Sequence, residues 1–377
     1  MSKCLQEANI NEILPKEIFV IIFKKLGFKS LSFARGTCRY WQKVIDDFKF
    51  LEAASTRKFH LLILNSNRIQ NWYFLSTGEM SSILMIGGDS ISNFNAFPPV
   101  YALTEDPRLK KKMPHFPNFP RKICNTPILM HNETILVIGS VYRIKQCLQL
   151  YKGAWKFHSS MNYEREYSSA VSTRSASFIF GGLESSNTYE YLPKYSNVWV
   201  MGKSKIPAEF VGYAGFAIAT KTEDQILLFR SKRIIQFDAE EHVFKDFPSK
   251  LNISRSGLRC AYIPGTNKII ITGGFDTDRN SKTNSTEILD LDKGTITMGS
   301  PMNFHRACHG IGIVTIDDED KLAVFGGKNK DNHDDSVEFY NVKTQTWELS
   351  KDVKLYEGGN SFGFLNVKYE CISKLLK

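Results

Sequence analysis

The sequence lacks the features that mark membrane proteins and disulfide-stapled secreted domains. No apolar run approaches the roughly 18 residues of a membrane span, and the N-terminus lacks the apolar segment of a secretory signal. The seven cysteines are odd in number and none pair at CxxC spacing, which argues against a zinc cluster or a disulfide framework and favours a reducing compartment. We therefore expect no membrane contact, and a cytoplasmic and/or nuclear location.

Sequence motifs of the common enzyme classes are also missing. No phosphate-binding glycine loop, nucleophile elbow or HExxH pattern occurs. His305 and His309 have the spacing of helical metal ligands, but their surroundings indicate a loop entering a strand. The acidic run 317–320 has no calcium-loop spacing after it and indicates a tight turn. The sequence thus predicts no metal, no cofactor and no catalytic residues, so we expect a non-enzymatic protein.

Charge is unbalanced but dispersed. The 377 residues carry a formal net charge of +10, and the basic residues cluster only at Arg108–Lys112 and at Arg121–Lys122. Such a balance suits an acidic or phosphorylated protein partner, whereas a solvated loop is the plainer interpretation of the cluster. A nucleic-acid ligand is not expected.

One short pattern recurs along most of the chain. It is an aliphatic run that ends in a glycine pair or a degenerate copy of one, repeated about every 40 to 53 residues, within the repeat length of propeller blades. A continuous apolar run between turn signals predicts a strand buried on both faces. The six copies are Ile83–Gly88, Ile135–Ser140, Phe178–Gly182, Ile226–Ser231, Ile269–Gly274 and Leu322–Gly327.

Two further markers accompany this run. An apolar-Asn-x-x-Arg element precedes it and ends at Arg165, Arg255 or Arg306, with Arg121 at the matching offset. A glutamate among apolar residues, then a tryptophan, follows it at Glu190 and at Glu338. In this order the three markers resemble the kelch repeat over residues 77–367. The resemblance implies a mainly β fold, a kelch-type β-propeller of six blades, with seven as the alternative.

The ends of this region suggest how the ring closes. Phe362–Val367 has the pattern of a first blade strand, whose partners would come from residues 83–114. Residues 51–76 contain two strand-like stretches and predict an ordered connector rather than a loose linker. We therefore assign residues 77–377 to the propeller and 51–76 to the connector.

The N-terminal part has a different periodicity. Residues 1–9 are predicted to be disordered. A helix then begins near Pro15, with Gly27 as its stop, and a second follows Ser30. The first helix is apolar on two faces, so it needs a partner outside its own domain. The order Leu-Pro-x-Glu-Ile, a leucine-ended helix and Cys-Arg-x-Trp resembles the F-box over residues 10–50, which implies a small all-α domain.

The resemblance to F-box proteins implies a function. The chain would be the substrate-recognition subunit of an SCF-type (Skp–cullin–F-box) E3 ubiquitin ligase, docking on a Skp-type adaptor and through it on a cullin. The residues that match the motif would form the apolar adaptor-binding patch. They are Leu14, Pro15, Ile18, Ile21, Ile22, Leu26, Leu31, Cys38 and Trp41. The alternative for these residues is a helical cap on the propeller.

The propeller would hold the substrate. In kelch proteins resembling this one, the loops carrying the repeated arginines reach the mouth of the central channel. Arg121, Arg165, Arg255 and Arg306 would then form a ring suited to carboxylates or phosphates. An equally weighted alternative is that they hydrogen-bond neighbouring blades and hold the ring together. For the whole chain the alternative function is a non-enzymatic kelch scaffold or an actin-associated cytoskeletal binder.

Overall fold

The structure of the protein is a computed structural model. It describes residues 59–63, 72–76, 81–86, 100–103, 126–140, 144–182, 187–207, 216–222, 224–316, 319–327, 335–355 and 363–368. The chain divides into two compact units, one of residues 1–80 with 368–370 and one of residues 81–367 with 371–377. The predicted F-box helices lie outside the described residues. No helix in the described part is long and apolar enough to cross a bilayer.

Two strands are described in the smaller unit. β1 (Phe59–Ile63) and β2 (Trp72–Ser76) pair antiparallel, with Phe59 opposite Ser76 and Ile63 opposite Trp72. These are the two strand-like stretches predicted for the connector, and they pair with each other.

The larger unit begins with three blade-type groups of strands. The first contains β3 (Ser81–Ile86) and β4 (Val100–Leu103). The second contains β5 (Ile128–His131), β6 (Thr134–Ser140), β7 (Ile144–Tyr151) and β8 (Ala154–Ser160). The third contains β9 (Ser169–Ser172), β10 (Ala176–Phe180), β11 (Tyr189–Pro193) and β12 (Val200–Met201). The second and third sheets are antiparallel meanders in chain order.

The fourth sheet contains β13 (Phe216–Ala219), β14 (Gln225–Arg230), β15 (Arg233–Asp238) and β16 (Val243–Asp246). Seven strands follow: β17 (Arg255–Ser256), β18 (Arg259–Tyr262), β19 (Lys268–Thr272), β20 (Phe275–Asp276), β21 (Ser281–Lys282), β22 (Thr286–Asp290) and β23 (Thr295–Gly299). The fifth blade-type sheet has the order β18-β19-β22-β23, while β17-β20-β21 form a separate small sheet.

The last strands complete the unit. The sixth sheet contains β24 (Gly310–Ile316), β25 (Glu319–Phe325), β26 (Ser336–Asn341) and β27 (Thr346–Lys354). The final strand, β28 (Gly363–Lys368), pairs with β3, so that the first sheet has the order β28-β3-β4. The predicted closure between the two ends of the repeat region is thereby confirmed.

The second to sixth sheets contact each other through their first strands, and the first strand of the sixth sheet contacts β3, the second strand of the first sheet. Contacts run from β5 to β9, β13, β18 and β24 in turn, and from β24 to β3. All six aliphatic runs predicted from the sequence form the second strand of their sheet. The described strands thus match a propeller with six blade-type sheets, and the number of blades in the whole ring stays a prediction.

The core lies between the sheets. Phe178 and Phe180 of β10 pack against Phe237 of β15, with ring centroids 5.5 and 5.3 Å apart, and all three side chains are buried. Edge-to-face rings of this kind add to the free energy of burying apolar area. Ile179, which lies between Phe178 and Phe180, packs in a separate cluster on the opposite face, so both faces of β10 are buried, as its continuous apolar run predicted.

The glycine pairs end these strands because two backbone segments of the chain approach each other closely there. At Gly273 (φ +54°) an added Cβ would lie 2.3 Å from the carbonyl oxygen of Arg306, in the next sheet. The Gly274 N–H donates to that same oxygen over 2.7 Å. A side chain at position 273 would break this approach, and the positive φ adds a strain that glycine avoids.

Candidate functional site

The proposed adaptor-binding surface cannot be placed in the fold. Its residues all fall in the part of the chain that lies outside the described residues. They are Leu14, Pro15, Ile18, Ile21, Ile22, Leu26, Leu31, Cys38 and Trp41. Their assignment stays a prediction, as does that of Arg121, which also lies outside the described residues.

Each repeated arginine that the structure describes belongs to a buried hydrogen-bonded cluster, which we call an arginine box. It consists of the arginine, the asparagine of the same element, a glutamate of the third strand and the carbonyl of the first glycine of the pair. Arg165 is 1% exposed, and its Nε donates to Glu190 Oε1 over 3.0 Å. Its Nη1 donates to the carbonyl oxygens of Gly181 and Thr188 at 2.7 and 3.0 Å. One guanidinium therefore joins the glycine pair to the third strand of its own sheet.

The asparagine of the same element completes the box. The backbone N–H and the side-chain amide of Asn162 donate to Glu190 Oε2 at 2.7 and 2.8 Å, and the Tyr163 N–H donates to Oε1. The Asn162 amide also donates to the Trp199 carbonyl. A single buried carboxylate thus fixes the loop that enters the sheet.

The same arrangement occurs in two further sheets. Arg255 and Arg306 are both 0% exposed. Arg255 pairs with Glu287 over 2.8 Å and bonds the Gly273 carbonyl. Arg306 pairs with Glu338 over 3.0 Å and bonds the Gly326 carbonyl. In these boxes Asn252 and Asn303 take the place of Asn162.

Burial explains both the cost and the role of these ion pairs. Desolvation lowers the pKa of Arg165 and of Arg255 below the ordinary arginine value, and the adjacent carboxylates, Glu190 and Glu287, oppose that shift. Burying each charge costs several kcal/mol, which the pair offsets only when its hydrogen bonds are well formed. The boxes therefore have a structural role: they hold the entering loop and the glycine pair against the third strand of the same sheet.

The prediction that Arg165, Arg255 and Arg306 contact substrate is wrong. Their side chains are buried and bonded to carboxylates and carbonyls, so a ligand at the surface cannot reach them. The alternative, that these arginines hold the ring together by hydrogen bonds to neighbouring blades, agrees better with the structure but needs one change. The side chains bond their own sheet, whereas the link to a neighbouring sheet is made by the backbone, as where Gly274 donates to the Arg306 carbonyl.

Several side chains between the asparagine and the arginine reach the surface, as the asparagines themselves do. Tyr163 is 50% exposed and Phe304 38%. Ile253, at the matching place, is half-buried, and His305 is exposed. Because the box fixes the backbone on both sides, these side chains are presented from a rigid base. The sequence contained a signal for this, since the framework residues repeat between copies while the two intervening residues change.

A hairpin stands at the same end of the fifth sheet. Its strands β20 and β21 pair with each other, β20 also pairs with β17, and a further bridge joins Ser231 to Arg255. Lys232 of the preceding sheet pairs with Asp278 of the hairpin over 3.1 Å. Arg279 at its turn has a side chain that is 82% exposed. The hairpin therefore adds an exposed cation that the repeat pattern did not predict.

The histidines at metal-ligand spacing point to different surroundings. His305 is exposed, whereas His309 is 1% exposed and its Nε2 lies 2.8 Å from Thr272 Oγ1. Burial lowers the pKa of His309 well below its usual value, and Arg259, Arg306 and Arg255 act in the same direction. Within the described ranges no group of three His, Cys, Asp or Glu side chains is placed to hold a metal ion.

Comparisons with known proteins agree with these two parts of the chain. A family model described as F-box-like matches residues 12–51. The structure is similar to the solved structure of YjhT, a kelch-type β-propeller, with a TM-score of 0.55 and 12% sequence identity over 66% of this chain and 88% of that chain. No curated protein sequence matches.

These matches concern the N-terminal segment and the fold of the larger unit. The chain carries an F-box-like segment and a kelch-type β-propeller, the organisation of F-box substrate-recognition proteins. F-box domains in general bind Skp-type adaptors.

Proposed function

We propose that the protein is the substrate-recognition subunit of an SCF-type ubiquitin ligase. The observation that carries this proposal is the F-box-like match at residues 12–51 in a chain whose larger unit is a kelch-type propeller. The helical segment docks on the Skp-type adaptor and reaches a cullin through it. The propeller binds a protein substrate in the cytoplasm or nucleus.

In this proposal the chain itself performs no chemistry. It raises the effective concentration of a bound substrate near the conjugating enzyme. The apolar motif residues Leu14, Pro15 and Ile18 supply the buried centre of the adaptor interface, where a few side chains dominate binding energy.

The substrate surface differs from the one first predicted. We place it on the exposed residues that the boxes present, Tyr163, Phe304 and His305, and on Arg279 of the added hairpin. Aromatic and arginine side chains are enriched at the centres of protein interfaces. An acidic or phosphorylated segment suits Arg279, and the aromatic positions suit apolar residues beside it.

Adaptor recovery tests the ligase assignment. The tagged full-length chain is expected to recover a Skp-type adaptor and a cullin from lysate, and Leu14→Ala with Pro15→Ala is expected to abolish that recovery. The matched control changes the same residue types at exposed propeller positions, Leu349→Ala with Pro301→Ala. Full recovery by the motif variant would contradict the proposed docking surface. Co-sedimentation with actin and no adaptor would favour the scaffold instead.

Substrate capture tests the surface. Proteins that co-purify with the wild-type chain under proteasome inhibition are quantified again with Tyr163→Ala and Phe304→Ala combined. Adaptor binding is expected to persist while specific co-purifying proteins are lost. An unchanged set of co-purifying proteins would place the substrate site elsewhere on the propeller.

A further inference from the structure

A second exposed surface lies at the opposite ends of the strands from the arginine boxes. In an antiparallel meander the first and third turns of each sheet share one end, and the second turn shares the other end with the link between sheets. The boxes lie at the latter end. At the former end four connections are described in the second and third sheets: residues 132–133, 152–153, 173–175 and 194–199.

Hydrogen bonds join these connections into one surface. The Tyr195 N–H donates to Asn132 Oδ1 over 3.2 Å, and the Lys194 N–H donates to the Ser175 carbonyl over 2.9 Å. Thr134 Oγ1 donates to the carbonyl of Leu150, the residue before Tyr151. We call the exposed basic and tyrosine side chains of this surface the junction patch. They are Tyr151, Lys152, Lys156, Arg174, Lys194 and Tyr195.

The junction patch combines positive charge with exposed aromatic rings. Tyr195 is 84% exposed and Tyr151 45%. Lysine ammonium groups lie over both rings: Lys156 at 4.9 Å from the Tyr151 centroid and Lys194 at 5.8 Å from the Tyr195 centroid. In the turns that the structure describes here, the one acidic side chain is Glu133. The patch therefore has a clear excess of cations.

Folding does not account for Tyr195. Its backbone lies in the left-handed region, with φ +64°, which glycine or asparagine adopts at lower cost than a bulky residue. Its side chain is almost fully exposed, so it gains nothing from burial. A strained, exposed aromatic residue on a hydrogen-bonded turn is better explained by a contact with another molecule.

We propose that the junction patch docks an acidic segment of a protein partner, at a site separate from the substrate surface. Carboxylates suit the lysine and arginine heads, and an apolar residue of the segment suits the ring of Tyr195. A stacked nucleic acid fits less well, because base stacking needs free aromatic faces and a lysine ammonium lies over one face of each ring. Residues 1–50 of this chain are themselves richer in cations than anions, so charge favours a different molecule.

Fluorescence anisotropy with the full-length chain tests the proposal. The probe is a labelled peptide of glutamates with one central leucine, and a glutamine version controls for charge. Lys152→Glu, Lys156→Glu and Lys194→Glu combined are expected to weaken binding of the glutamate peptide roughly tenfold or more. The control triple, Lys245→Glu, Lys293→Glu and Lys343→Glu, makes the same change in net charge at exposed positions of other sheets and is expected to change binding less than about twofold.

Tyr195→Gly separates recognition from stability. Glycine tolerates the left-handed backbone, so the unfolding midpoint is expected to hold or rise while peptide affinity falls several-fold. Equal loss of binding in both lysine triples would reduce the effect to general attraction and overturn the proposal. Tighter, patch-dependent binding of an oligouridylate would replace the acidic segment with RNA. A fall in the unfolding midpoint of Tyr195→Gly with unchanged affinity would make Tyr195 structural.

Discussion

Neutralising the carboxylate of one box tests the structural role of the repeated arginines most directly. Glu338→Gln removes the negative charge that accepts hydrogen bonds from Arg306, Asn303 and the Phe304 backbone. The Arg306 guanidinium would remain fully buried without the charge of Glu338. Breaking a buried pair by removing one partner costs about 3 to 5 kcal/mol, so we expect a loss of stability of that order.

The assay is urea unfolding followed by tryptophan fluorescence, since Trp347 packs in the same sheet against Tyr340. A double-mutant cycle with Arg306→Met completes it, and the double variant is expected to lose less than the two single variants summed, because no uncompensated charge remains. A loss below about 1 kcal/mol for Glu338→Gln, or strictly additive losses, would refute the view that the box is a coupled buried pair. The hypothesis that the repeated arginines form a ring open to a ligand would then have to be reconsidered.

Two further predictions concern the glycine pairs and acid stability. Gly273→Ala is expected to lower the free energy of unfolding by about 3 kcal/mol or more, measured with urea, because its Cβ would meet the Arg306 carbonyl. The control, Gly265→Ala, lies at φ +73° with open space around it and is expected to show only the backbone strain of about 1 kcal/mol. Equal losses in the two variants would contradict the close approach at Gly273. Burial, with the charges of His158 and Lys194 adding to it, lowers the pKa of His131 to about 4, so its contribution to stability is complete above pH about 6.5 and is lost as the pH falls towards 4. In His131→Gln the urea midpoint should therefore depend less on pH over that range. An unchanged dependence of the midpoint on pH would exclude His131 as the cause.

The fold was largely predictable because its signal is local and repeated. A second strand that is buried on both faces appears in the sequence as an uninterrupted aliphatic run, as in Ile269–Gly274. The closing strand shares the pattern of a first strand and therefore revealed its partner. By contrast, the hairpin of β20 and β21 carries none of the three repeat markers, and strands of two residues give no periodic signal.

The site was predicted less well because a sequence shows charge but not burial. An arginine at a fixed place in a loop suggests a ligand-binding role, and only its buried glutamate partner shows that the arginine has a structural role. That partner was visible in part: glutamates recur 25 and 32 residues after Arg165 and Arg306, at a constant place in the third strand. Two opposite charges repeating together indicate a pair, whereas a lone repeating charge would indicate a ligand site.

Closure of the first sheet by β28 has a consequence for synthesis of the protein. Strand Gly363–Lys368 is made hundreds of residues after its partner Ser81–Ile86. Until β28 has been synthesised, the edge of β3 that it covers has no partner strand and is open to pairing with other chains. A stop codon upstream of β28 would therefore yield an aggregation-prone product rather than a shortened but working protein.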